Sequence, residues 1–311
     1  MKRYLLLALT ALLVLTSFTQ DKVTTIFIIG DSTAAKKDLS KGSPERGWGM
    51  ALQQYFDKAY IKVDNHAVNG RSSKSFIDEG RWDKVLALIK PGDYVIIQFG
   101  HNDEKAQPER HTDPGSTFDY NLSRYIRETR ERGGIPIVMN PVVRRNWEAS
   151  PNPSERRGEP IGSRIDDEAL RNTTATDAPL LSEGQGEASP LLSEGSGEAS
   201  PLLSEGLGEA VSGEVLIDTH GLYAVAPRDV AQRMNCLFVD ANKITHDLEQ
   251  QLGVEGSKKL HMWYKPGEHP ALPDGRQDNT HYNEYGAKVV AGLLADALCE
   301  EIPLLKKYRK D

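Results

Sequence analysis

The sequence predicts an α/β fold, a parallel sheet covered by helices on both faces. Short runs of apolar and β-branched residues recur along the chain, too uniformly apolar to leave one face in water. Between them lie segments whose apolar residues recur about every 3.6 positions, the helical period. Strand-like and helix-like segments alternate, which is the pattern of strands joined by right-handed helical crossovers. Such a sheet gathers the loops that follow its strands at one edge, where α/β sites form.

The strand-like runs are 23–29 (VTTIFII), 61–68, 94–99 (YVIIQF), 135–139 (IPIVM) and 236–239 (CLFV). The helix-like segments are 49–60, 81–89, 118–132, 222–234 and 283–298, the last being the most clearly amphipathic. With 311 residues the chain can hold one large domain. Apolar residues make up 38% and charged residues 27%, a balance that excludes a membrane-embedded protein. Six glutamates of one internal repeat account for most of the formal charge of −7. The mildly acidic remainder lacks the basic face that nucleic acid requires.

Residues 1–20 (MKRYLLLALTALLVLTSFTQ) place Lys2 and Arg3 before an apolar run that is short for a bilayer span and ends near Ser17 and Thr19. This is the pattern of a cleaved secretory signal peptide, so the mature protein is expected to be secreted or periplasmic, with no stable membrane anchor; an uncleaved membrane anchor is the rival reading. No cysteine stands near the end of the run, which excludes a lipoprotein. The two cysteines, Cys236 and Cys299, are too few for a disulfide-built scaffold. Export leaves two readings open for them, a pair that oxidises or two separate buried thiols.

Residues 144–219 break the rhythm, with no convincing strand or helix period. Within them an eleven-residue word repeats three times: PLLSEGQGEAS from Pro179, PLLSEGSGEAS from Pro190 and PLLSEGLGEAV from Pro201. A proline and two glycines in each copy oppose a long helix. The stretch from about 150 to 213 is therefore expected to be a low-complexity, disordered insertion in one domain spanning 21–311. Its paired leucines leave a partner-binding role as the other reading.

Four polar words lie where strands end. Gly30-Asp31-Ser32-Thr33 closes the first run and would place a serine hydroxyl at the mouth of the sheet, at a helix N-terminus. Asn69-Gly70-Arg71-Ser72-Ser73 follows the second, and Gly70 would let backbone approach a ligand. Gly100-His101-Asn102-Asp103 follows the third, with the Asn102 amide free to donate. Asp278-Asn279-Thr280-His281 precedes the last helix and can set a carboxylate beside an imidazole. Read alone, each word is equally a cap or a turn.

Together, in the order Ser, Gly, Asn, Asp-His, they resemble the SGNH (GDSL-type) hydrolase superfamily over most of the chain apart from 144–219. The resemblance implies a three-layer α/β/α fold with a flavodoxin-like, five-stranded parallel sheet. It implies Ser32 as nucleophile, His281 as base and Asp278 as the orienting acid. The oxyanion hole would comprise the Ser32 and Gly70 N–H groups and the Asn102 side chain. The words FIIGDSTAA, NGRSSKSF, QFGHND, NPVVRR and DNTHYNEYGA are similar to the rhamnogalacturonan acetylesterase branch, which removes acetyl groups from pectin. The substrate implied is an acetylated pectic polysaccharide or oligosaccharide.

Galacturonate is acidic, so cations are expected in the cleft. Arg71, Arg144 and Arg145 follow catalytic-edge strands and are candidate carboxylate ligands. His101 is a candidate substrate contact beside Asn102. Trp263 and Tyr264, in a loop before the Asp-His pair, could stack on sugar rings or pack that loop. His261 and His269 flank Trp263 without any metal-binding spacing, and no phosphate loop is present, so no metal or cofactor is expected. Two other functions remain compatible: a lipid esterase or thioesterase on the same scaffold, and a non-catalytic sugar-binding or surface-interaction protein.

Overall fold

The computed structural model describes residues 23–149 and 213–310. The expected signal peptide, and the repeat at 179–211, lie outside the described residues. In chain order the elements are β1 Thr24–Gly30, β2 Glu45–Arg46, α1 Trp48–Ala51, β3 Ile61–Asn65, α2 Ser73–Asp78, α3 Arg81–Leu86, β4 Tyr94–Gln98, α4 Thr117–Glu131 and β5 Ile135–Met139. Then come β6 Trp147–Ala149, β7 Glu214–Leu216, α5 Leu222–Arg233, β8 Leu237–Val239, α6 Ala241–Ser257, β9 His261–Tyr264, β10 Arg276–Asn283, α7 Glu284–Glu301 and α8 Pro303–Lys307.

The central sheet has five strands in the order β3-β1-β4-β5-β8, every pair parallel. These are the five apolar runs of the sequence. Their side chains divide between two cores. Ile26 and Ile28 of β1 join Ile96, Ile137, Leu294 and Leu298 on one face, under α1, α6 and α7. Phe27 and Ile29 join Val95, Ile97, Phe118, Leu122 and Val230 on the other, under α2 to α5. The inner strands β1, β4 and β5 are thus covered on both faces and are predominantly apolar, whereas edge strand β3 (IKVDN) alternates and leaves Lys62 exposed. The three-layer α/β/α architecture is as expected.

Several local expectations need correction. The first run does not lead into a helix: residues 31–35 make one turn, closed by the Ala35 N–H on the Asp31 carbonyl at 3.1 Å. The next helical acceptors are taken elsewhere: the Ser32 carbonyl receives the Lys37 ammonium at 2.6 Å, the Thr33 carbonyl the Trp48 N–H at 2.9 Å, and the Ala34 carbonyl the Asn65 side chain at 2.7 Å. With its acceptors claimed by other segments, the turn cannot propagate. The helix expected over 49–60 is only α1, followed by a 3₁₀ turn at Leu52–Tyr55. Within 144–219, β6 and β7 pair antiparallel, Trp147 opposite Leu216 and Ala149 opposite Glu214. The two ends of the inserted stretch therefore meet side by side.

The largest difference concerns the last third of the chain. Trp263 and Tyr264 lie on β9, and Asp278 and His281 lie on β10, not in loops. Strands β2, β10 and β9 form a separate antiparallel sheet whose register slips between Asp278 and Tyr282. The slip falls where Asp278 Oδ1 accepts the N–H groups of Thr280 and His281, each at 2.9 Å, in place of ladder acceptors. Cys236 and Cys299 are both unpaired, the former half-buried and the latter buried. Among the described residues, no helix is long and apolar enough to cross a membrane.

Candidate active site

The four polar words converge at the carboxyl edge of the central sheet. Ser32, half-buried, stands in the turn after β1. Its hydroxyl donates to His281 Nε2 at 2.9 Å, and His281 Nδ1–H donates to Asp278 Oδ2 at 2.9 Å. A carboxylate only accepts, so this second bond assigns the imidazole proton to Nδ1 and leaves Nε2 as the acceptor facing the hydroxyl. Burial would raise the Asp278 carboxyl, but hydrogen bonds from the His281 ring and amide and from the Thr280 amide outweigh it and hold it far below the usual carboxylate range. The group beside the imidazole is therefore ionised at any working pH.

The turn itself is held from below. Asp31, fully buried, accepts the Thr33 N–H at 2.9 Å and the Thr33 hydroxyl at 2.8 Å through Oδ1. Burial raises its carboxyl, and the Thr33 bonds oppose the rise. Gly47 lies so close that a Cβ there would stand 2.3 Å from the Ala35 carbonyl oxygen. That contact lets β2 press against the serine turn.

Hydrogen-bond donors collect on one side of Ser32. Gly70 sits at φ +74°, in a turn closed by the Arg71 N–H on the Val68 carbonyl at 3.3 Å. Among the described residues, the N–H groups of Ser32 and Gly70 meet no protein acceptor. The Asn102 side chain is oriented from both ends: its oxygen accepts from Arg110 at 3.3 Å, and its nitrogen donates to the Arg71 carbonyl at 3.2 Å. One amide hydrogen remains for a ligand. This arrangement can attack a carbonyl and receive the negative charge that develops on its oxygen.

The substrate candidates fare differently. Arg71 lines a cavity of about 400 Å³ together with Gly70, Ser75, Asp78, Glu79, Glu109 and Arg110, beside the donors. Its Nε is shared with both oxygens of Glu79 at 3.1 Å. Arg144 is already neutralised by Glu104 and also donates to Thr219 at 3.2 Å. Arg145 is 5% exposed and its guanidinium is spent on Ser257, Asn279 and the Val254 carbonyl, so it is a structural cation and not a ligand for a uronate. Trp263 donates to Asn279 at 2.8 Å, and its ring is met by Arg145 at 5.0 Å and Lys258 at 4.8 Å, which removes it as an open stacking platform. Tyr264 packs edge-on against His269. His101 is 4% exposed and lies edge-on to His220 with centroids 4.4 Å apart, so it does not reach a substrate; burial lowers its proton affinity well below the ordinary value.

Three charged residues that carry no sequence signal, Lys37, Glu45 and Arg276, reach the same site. They stand in segments whose apolar pattern is weak, and their pairing depends on two strands brought together from opposite ends of the chain.

Comparison with known proteins points to one family. Residues 28–289 match the GDSL-like Lipase/Acylhydrolase family. The chain is 30% identical over 279 residues to rhamnogalacturonan acetylesterase RhgT of Bacillus subtilis (strain 168), covering 90% of each sequence. It is 40% identical over 124 residues to the probable rhamnogalacturonan acetylesterase YesY of the same organism, covering 40% of this chain and 56% of that one. The crystal structure of protein YXIM from Bacillus subtilis superposes with a TM-score of 0.57 at 22% identity, over 90% of this chain and 57% of that one, a likeness of fold. A serine and imidazole in hydrogen-bond contact at the edge of a five-stranded parallel sheet, in a chain matched over most of its length, make this protein a member of the GDSL-like lipase/acylhydrolase family and an ester hydrolase.

Proposed function

We propose that the protein is an exported carbohydrate esterase that removes acetyl groups from pectic rhamnogalacturonan through an acyl-enzyme on Ser32. The observation that carries this reading is the continuous relay from Asp278 through His281 to the Ser32 hydroxyl, both links at 2.9 Å. Its substrate class rests on the relative named rhamnogalacturonan acetylesterase that spans 90% of both chains. The charged side chains Arg71, Asp78, Glu79, Glu109 and Arg110 around the cavity beside Gly70 are compatible with a polar leaving group. Export rests on the pattern of residues 1–20.

Ser32 Oγ attacks the acetyl carbonyl carbon while its proton passes to His281 Nε2. The carbonyl oxygen takes up the electron pair, and its charge meets the N–H groups of Ser32 and Gly70 and the Asn102 amide. Collapse breaks the bond to the sugar oxygen, which leaves as a hydroxyl with the proton held on His281. Asp278 stabilises the imidazolium between these transfers. Water then attacks the acetyl-Ser32 ester, gives its proton to Nε2, and releases acetate while Oγ recovers a proton. Arg71 is the cation assigned to a uronate carboxylate, since it stands on the cavity wall next to Gly70; its Nε is held by Glu79 and one amino group by the Asn69 carbonyl, so a carboxylate would be met by its remaining amino group.

Acetate release from acetylated rhamnogalacturonan and from acetylated xylan, each with wild type and Ser32→Ala, tests the reading. The expected result is faster release from the pectic substrate, abolished by the substitution. Preference for xylan, or for long-chain acyl esters, would replace the substrate assignment.

A further inference from the structure

A closed ring of hydrogen bonds passes through the relay. From the Ser32 hydroxyl it runs to His281 and on to Asp278 Oδ2. Arg276 donates to that same Oδ2 at 2.5 Å and, through its other amino group, to Glu45 Oε2 at 2.7 Å. Glu45 Oε1 pairs with the Lys37 ammonium at 2.8 Å, and Lys37 donates to the Ser32 carbonyl oxygen at 2.6 Å. Lys37 also donates to Asn69 Oδ1 at 2.7 Å, so its three hydrogens tie the serine turn, the turn that carries Gly70 and strand β2 together. Its side chain is 4% exposed, and water does not compete for these bonds.

The signs alternate around the ring: Lys37 positive, Glu45 negative, Arg276 positive, Asp278 negative. Arg276 and His281 compete for one carboxylate oxygen. A carboxylate whose charge is partly answered by a guanidinium stabilises a neighbouring imidazolium less. Glu45 acts in the opposite sense, because it answers the Arg276 charge. Other ionisable groups near His281 are Asp31 in the serine turn and His101 after β4, and neither belongs to the ring.

Building on the role of His281 as general base, we propose that Arg276 is a positioning residue that lowers the proton affinity of His281 through Asp278, balanced by Glu45 and Lys37, which anchor it to the serine turn. The ring thereby couples the charge around the base to the placement of the nucleophile. Burial works against the Glu45 carboxylate, but Lys37 and Arg276 hold it ionised, so the balance persists through the working range.

The test is the pH dependence of kcat/KM on p-nitrophenyl acetate for wild type, R276Q, R276K and E45Q, paired with an NMR titration of the His281 ring and a melting curve for each. R276Q is expected to raise the His281 midpoint by about one pH unit and E45Q to lower it by about half a unit. R276K stays near wild type. A purely structural role would lower kcat without moving the two midpoints in opposite directions. Unmoved midpoints, or shifts of the same sign in folded variants, overturn the proposal. If R276Q fails to fold, E45Q decides: a lowered midpoint supports the ring and an unchanged one refutes it. A wild type whose kcat/KM shows no acid limb matching the His281 titration would instead refute the base assignment itself.

Discussion

The Asp103 carboxylate accepts the Ser73 amide at 3.0 Å and the Ser73 hydroxyl at 2.5 Å, joining the loop that carries Asn102 to the start of the helix that follows Gly70. Thr112 adds a third bond at 2.8 Å, and the group is fully buried. One carboxylate therefore sets the spacing between the Asn102 side chain and the Gly70 turn, the two donors that approach from β4 and β3, on either side of β1. Burial raises the Asp103 carboxyl to about 6 in spite of these bonds.

That raised value has a signed consequence. Stability from the protonated form is fully present below the unfolded value near 3.8 and is lost as pH rises through about 6. Relative to Asp103→Asn, wild type should gain on the order of 2–3 kcal/mol on going from pH 7.5 to pH 4. Urea unfolding of both proteins at both pH values measures it. A difference independent of pH would show that Asp103 does not titrate in this range.

Ser32→Ala is expected to lower kcat by roughly 10⁴ or more, leaving only what the donors and binding supply. A fluorophosphonate probe should label wild type and not the variant. Retained esterase activity would place the nucleophile elsewhere.

The oxyanion donors can be separated by two substitutions. Asn102→Ala should lower kcat by roughly 10²–10³ with little change in KM, because its free hydrogen acts on charge present only in the transition state. Gly70→Ala meets open space, with nothing within 4 Å of the added Cβ, so its cost comes from φ +74° alone. That strain is about 1 kcal/mol for a side chain held in the left-handed region. The expected result is a modest fall in melting temperature with a larger fall in kcat as the turn relaxes. Equal and small effects on both would remove the Gly70 N–H from the site.

The arginines divide into two kinds. Arg71→Ala should raise KM on an acetylated pectic substrate by about tenfold, the scale of one charge-assisted contact, with little effect on p-nitrophenyl acetate. Arg145→Ala should act on both substrates alike and lower stability by roughly 2–4 kcal/mol, since it leaves buried partners unanswered. Parallel kinetics and unfolding curves distinguish them. An Arg71 effect equal on both esters would end its role in carboxylate recognition.

The legible parts of the sequence were those where burial acts on contiguous residues. Strands β1, β4, β5 and β8 stand out because their runs are predominantly apolar, and the long helices α4 and α7 because one stripe is; edge strand β3 shows only an alternating pattern, with Lys62 exposed. Helix α6 escaped notice because its inward face carries His246 and Glu249, and Glu249 is buried against His261 at 2.8 Å. Buried polar residues whose partners lie on other strands, His261 on β9 for Glu249 and the Leu216 carbonyl on β7 for His246, have no periodic signature. Strand β10 escaped for a related reason: its residues, RQDNTHYN, are the site itself, and its ladder is interrupted by Asp278 turning back on its own backbone.

By itself the sequence determined the layers, the order of the polar words and the residue types able to attack, accept a proton and donate. Those properties follow from local spacing and from the requirement that a central strand be apolar. Only the tertiary structure decided which cations are spent and which are available, that Asp278 and His281 ride on an antiparallel strand, and that Lys37, Glu45 and Arg276 close on Ser32. Ion pairs over such separations are chosen by how packed segments meet, and no period along the chain records that choice.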